Sequence, residues 1–131
     1  MDEAYEKQAK EWFERGDHDL ETAQLLLDER GHIDVIAYHI QQTIEKYLKG
    51  FLIIHGEKPP RIHELDVLLG RVLQIAPELS QYIGLCEKAS RYYIDSRYPP
   101  GPIREYSFDE VKDDLEQTRG LIQMIVRKVE K

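Results

Sequence analysis

Cysteine is nearly missing from this 131-residue chain, which has only Cys86. One thiol excludes an internal disulfide, and with no second cysteine beside it a thiolate zinc site is excluded as well. Long apolar runs are missing too. The longest, Phe51-Leu52-Ile53-Ile54, falls far short of the about 20 residues that a membrane-crossing helix needs. Period-two alternation of apolar and polar residues occurs nowhere, so no strand is expected. There is no G-x-x-x-x-G-K-[S/T] loop to cradle a phosphate. The five histidines, His18, His32, His39, His55 and His63, form no i, i+4 pair and no HExxH spacing. Neither a metal nor a cofactor is therefore expected. Positive charge is in deficit, with a formal net charge of −7. A broad, sequence-independent nucleic-acid binder needs a basic surface that releases counterions, and this chain lacks that balance.

What is present reads as helix. Charged residues make up 33% and hydrophobic ones 41%, a balance that suits a soluble helical protein of one domain, residues 1–131. The first residues are acidic and amphipathic, unlike a signal peptide. With the lone thiol, this makes the cytosol the expected compartment. Tyr5, Ala9, Trp12, Gly16, Leu20, Ala23 and Leu27 keep one phase of three and four, which predicts a single helix from about Glu3 to Glu29 running through Gly16 and ended by Gly31. Asp34 is a candidate cap for a second helix to about His55, closed by Gly56. Pro59-Pro60 forces an extended link to a third helix, about His63 to Ile75. A fourth starts at Pro77 and runs to about Tyr93. Tyr98-Pro99-Pro100-Gly101-Pro102 cannot be helical. Ser107 and Glu110 make a capping box for a last helix, whose seam is Phe108, Val111, Leu115, Thr118, Ile122, Ile125 and Val129. The expected architecture is all-α, an up-and-down bundle of about five helices, mostly antiparallel because the links are short.

The second helix carries an unusual polar load. At about 100° per residue, Ala37, Ile40, Ile44, Tyr47, Leu48 and Phe51 gather in a core-facing sector. His39, Gln42, Glu45, Lys46 and Lys49 gather opposite. A solvated face is the plain reading. A ligand face is the other, because basic residues cluster between positions 46 and 104 while the acidic excess lies near the ends.

The polar segment and its neighbours resemble the HEPN family of small helical domains. The pieces are Asp19-Leu20 in the first helix, Tyr38-His39 through Gln42, Glu45-Lys46 and Leu48-Lys49 in the second, Gly56 to Pro60, His63-Glu64-Leu65, and Arg97-Tyr98-Pro99. They follow the family's order over nearly the whole chain. The resemblance implies a helical subunit similar to the helical half of kanamycin-type nucleotidyltransferases. It also implies a homodimer that works beside a separate minimal nucleotidyltransferase in a two-component module of toxin–antitoxin type. Many HEPN proteins cleave RNA with an arginine followed, after four to six residues, by a histidine, the pair serving as phosphate-stabilising cation and acid or base. No arginine here has a histidine at that spacing, so no catalytic residue is assigned.

A phosphate-bearing ligand, a nucleotide, fits the remaining residues. Gln42, Lys46 and Lys49 share a face of the second helix. Arg61 and His63 stand at the entrance of the third, whose amides favour an anion. Arg97 and Tyr98 could close the site as a forked donor and a stacking ring. The expected ligand set is Gln42, Lys46, Lys49, His63, Arg97 and Tyr98. Structural roles compete with it: Lys46 paired with Asp19, Tyr98 packed on Trp12, His63 bonding local backbone. Tyr92, Tyr93, Ile94 and Tyr98 read either as dimer anchors or as core. The alternatives to a nucleotide-binding partner subunit are a noncanonical HEPN ribonuclease toxin and a structural homodimer without ligand.

Overall fold

The computed structural model describes residues 2–97 and 106–130, with side chains left out for 93–97. Five α-helices follow in order: α1 Glu3–Asp28, α2 Ile33–Ile54, α3 Leu65–Leu73, α4 Ile83–Arg97 and α5 Phe108–Val129. A 3-10 turn, Pro77–Tyr82, leads directly into α4. Among the described residues there is no strand, and no helix is long and apolar enough to cross a membrane. The all-α bundle is as the periodicity predicts.

The helix α2 is the axis of the molecule and touches α1, α3, α4 and α5. Its C-terminal half, from Tyr47 to Ile54, is buried on every side, as befits a helix surrounded by others. The helix α1 runs antiparallel to it, since Asp19 meets Lys46, Gly16 meets Tyr47 and Gly50 meets Phe13. Two glycines make that approach possible. A Cβ at Gly16 would lie 2.7 Å from the Tyr47 ring, and one at Gly50 would lie 2.6 Å from the Phe13 ring. This explains why α1 runs unbroken through Gly16: the residue is there for a close crossing, not for a turn.

Several boundaries differ from the sequence reading. The N-cap of α2 is His32, without a side-chain cap bond, and Asp34 lies in the first turn, where its charge suits the helix dipole. At the end of α1 the left-handed residue is Arg30, φ 53°, rather than Gly31. The Arg30 guanidinium stacks 4.5 Å from the centre of the Phe108 ring, which fixes it there. Gly56 does close α2, with φ 79° and amide bonds from Gly56 and Glu57 back to Ile53 and Leu52. The third helix begins two residues later than expected because the Leu65 amide donates to Ser90 Oγ of α4 at 2.7 Å, leaving His63 outside. Ser107 caps α5 through the Glu110 amide at 3.1 Å, and the Glu110 carboxylate returns to the Ser107 backbone. Tyr92 is core, 1% exposed, and its hydroxyl donates to Asp114. It is therefore no dimer anchor.

Candidate functional site

The polar face of α2 is not solvated. Gln41, Thr43, Glu45 and Lys49 are buried, and Gln42 and Lys46 are half-buried, enclosed by α1 and the link from Gly56 to Glu64. A charge buried in this way must be paired, and two carboxylates do the pairing.

Glu45, 5% exposed, is the first. Its Oε1 accepts from Gln41 Nε2 at 2.9 Å and faces His63 Nδ1 at 2.9 Å, while its Oε2 accepts from Lys49 Nζ at 3.1 Å. An ionised carboxylate only accepts, so the imidazole proton belongs on Nδ1. The same logic orients both amides. Gln41 Nε2 donates to Glu45 and to the His63 carbonyl (3.2 Å), so its Oε1 is left to accept from Gln42 Nε2 at 2.7 Å. Lys49 Nζ also lies 5.6 Å from the centre of the Trp12 ring, within cation–π range.

Asp19 is the second carboxylate. It holds His39 Nδ1 at 2.8 Å and accepts from Lys46 Nζ. One residue pair away, Tyr47 donates its hydroxyl to Asp17. Burial, then the bond and charge of Asp17, push the Tyr47 phenol above its ordinary range, so it stays protonated. Lys46 thus takes the structural partner foreseen for it. The His63 ring bonds the Glu45 carboxylate.

The α1 and α2 side chains and the link enclose a cleft of about 580 Å³ whose walls include Trp12, Arg15, Gln42, Lys46, Arg61 and His63. Lys49 and Glu45 form its floor. Gln42, Lys46, Lys49 and His63 are therefore brought together. Arg97's side chain and Tyr98, the other two expected members, lie outside the described residues. The start of α3 does not serve the cleft as an anion site: its first amide is bonded to Ser90, and Glu64 and Asp66 flank it.

Two cations differ from the rest. Lys46 and Lys49 are neutralised by Asp19 and Glu45. Arg15 and Arg61 are exposed and, among the described residues, make no hydrogen bond or ion pair. Sequence reasoning omitted Trp12, Arg15 and Gln41 from the site. Gln41 had a readable signal, being a polar residue in the Ala37–Leu48 core sector. Trp12 and Arg15 had none, because the residues across the cleft, from Gln42 to His63, lie far from them in the sequence. Chemically, the cleft offers forked donors for a phosphate, an indole face for a base and, in Gln42, an amide of fixed polarity.

The HEPN domain model matches residues 9–129. The chain belongs to the HEPN family. Among curated proteins it is 26% identical to a Methanocaldococcus jannaschii HEPN relative named "Putative toxin MJ1304", over 91% of this chain and 86% of that one. Among solved structures it is similar to TT1696 from Thermus thermophilus, with a TM-score of 0.77 and 24% identity over 92% of this chain and 98% of that one. The latter likeness establishes a shared fold. Within the HEPN segments of this chain, the pairs of Asp19 with Lys46 and of Glu45 with His63 are the contacts that lock α1 and the link onto α2. Of those four residues, Lys46, Glu45 and His63 line the cleft, and Asp19 supports Lys46 from α1.

Proposed function

We propose that this HEPN protein is the nucleotide-binding, helical component of a two-component module of toxin–antitoxin type. It works in the cytosol as a homodimer, beside a minimal nucleotidyltransferase that supplies the metal-binding carboxylates. The toxin name of the Methanocaldococcus jannaschii relative supports the module. The observation that carries ligand binding is the pair of uncommitted arginines, Arg15 and Arg61, on the walls of one cleft beside Trp12. An arginine without an internal partner keeps its fork for a phosphate, and the indole offers a stacking face to the base. Lys46, Lys49, His63 and Gln42 shape the floor and walls, and Arg97 and Tyr98 belong to the proposed set on the sequence pattern alone.

The test is a thermal-shift screen of the purified chain against ATP, GTP, UTP and CTP, with the mass taken by light scattering. A ligand at 100 times its dissociation constant adds about 2.7 kcal/mol to stability, so the transition rises by several degrees. A dimer whose transition rises with a nucleotide is the expected result. A monomer, or a protein indifferent to all four, contradicts the corresponding part of the proposal.

A further inference from the structure

The cleft does not end at Trp12. A second lobe of about 670 Å³ continues from it, sharing Trp12, Lys49 and Arg61 and adding Tyr5, Gln8 and Lys58. The α1 residues that line one lobe or the other are Tyr5, Gln8, Glu11, Trp12 and Arg15, with Trp12 common to both, and all but Glu11 fall at steps of three, four and three. That spacing places them on one helix face, a stripe about 15 Å long at 1.5 Å per residue. The opposite wall is the link after Gly56, and the Tyr5 ring lies over it, 3.6 Å from where a Gly56 Cβ would stand.

The two lobes repeat one set of chemical groups. The first has an amide of fixed polarity (Gln42) and an uncommitted cation (Arg15). The second has an amide (Gln8) and an exposed cation (Lys58), and among the described residues neither makes a hydrogen bond or ion pair. Each lobe has an aromatic wall: Trp12 stands at the junction, and Tyr5, 41% exposed, stands at the far end. Arg61 lines both lobes at the junction. A single nucleotide uses one such set and leaves the other idle.

We infer that the groove takes a ligand of two nucleosides bridged by phosphate, the bridge at Arg61 and one base in each lobe, with Tyr5 and Lys58 serving the second. This deepens the proposed function and rests on it. The shared chemistry has two sources, a dinucleoside polyphosphate and a linear dinucleotide. Aromatic stacking and cationic contacts tolerate either.

Trp12 is the only tryptophan in the chain, so its fluorescence reports directly on the junction. Titrations of the intact protein with AMP, ATP, diadenosine tetraphosphate and the dinucleotide pApA give four affinities. One of the two-base ligands is expected to bind roughly tenfold or more tightly than either mononucleotide, and which one does so identifies the source. Tyr5→Ala and Lys58→Ala are expected to bring that ratio down towards one. Mononucleotide binding with no gain from a second base overturns this inference and leaves the proposed function standing. A ratio unchanged in both variants also overturns it. Absence of binding by all four compounds overturns both.

Discussion

Cys86 illustrates how burial sets chemistry at a single residue. It is fully buried, and burial, then the Asp66 charge, push its thiol up to about 12. At neutral pH it holds its proton and is no nucleophile. A thiol reagent should therefore label the native protein only as fast as it opens, and labelling should become immediate in denaturant. Rapid labelling of the native state would contradict the packing around it. Lys88 is a second such case. Burial opposes its ammonium, yet bonds and charges from Glu110 and Asp114 outweigh that and raise its pKa. Glu110, on the surface, is held below 4.5, chiefly by its bond to Lys88 and then by the Lys88 charge. The Glu110 contribution is present above its unfolded value and is lost as pH falls through the lowered native one. The Lys88 contribution is present below 10.5 and is lost as pH rises past the raised value. Lys88→Met should cost about 2 kcal/mol near neutrality, because buried Asp114 loses its ammonium partner at 3.1 Å. The gap to the native protein, followed by denaturant melts, should narrow below pH 4.5 and again above 10.5. A gap independent of pH would refute the pairing.

At the level of the helices, the crossing of α1 and α2 holds the cleft's two sides together. Gly50→Ala places a methyl group against the half-buried Phe13 ring, where overpacking typically costs about 1–3 kcal/mol and helix propensity returns somewhat less than about 1 kcal/mol. A net loss of stability in thermal melts is expected, and a gain would mean that the helices separate easily. Ser107→Ala should cost about 1 kcal/mol by uncapping α5. Long periodic elements of this kind were legible in the sequence. The unbroken α1, the closure of α2 at Gly56 and the capped α5 all follow from phase and local capping chemistry. The start of α3 was not legible, because Ser90, 25 positions away, takes its first amide. Nor was the left-handed Arg30, which is held by Phe108 on the last helix. The polar face of α2 was legible as a pattern but not as an environment. Nothing local distinguishes a solvated Glu45 from one buried among Gln41, Lys49 and His63, and only the fold decides it. Two of the expected site residues, Lys49 and His63, meet at Glu45 for that reason, and Gln42 joins them through Gln41.

For the molecule as a whole, the same cleft is framework and candidate binding surface, and its residues divide between those tasks. Lys46→Ala would strip Asp19 of its ammonium and leave only His39 beside it. Its effect on ligand binding would then be mixed with a loss of stability, expected at about 1–3 kcal/mol for a partly buried pair. Arg15 and Arg61 carry no such load. They make no hydrogen bond or ion pair among the described residues, so removing either should leave the stability within about 0.5 kcal/mol of the native protein. That separation makes Arg61 the sharpest probe of the central claim, that the HEPN cleft binds a nucleotide through its phosphate. The direct measurement is a calorimetric titration of the native protein and of Arg61→Ala with the nucleotide that raises the thermal transition most. Saturable binding by the native protein is predicted, with a loss of at least about tenfold in affinity for the variant, roughly 1.4 kcal/mol, and with both proteins equally stable. Undiminished binding by Arg61→Ala would place the phosphate elsewhere and contradict the claim.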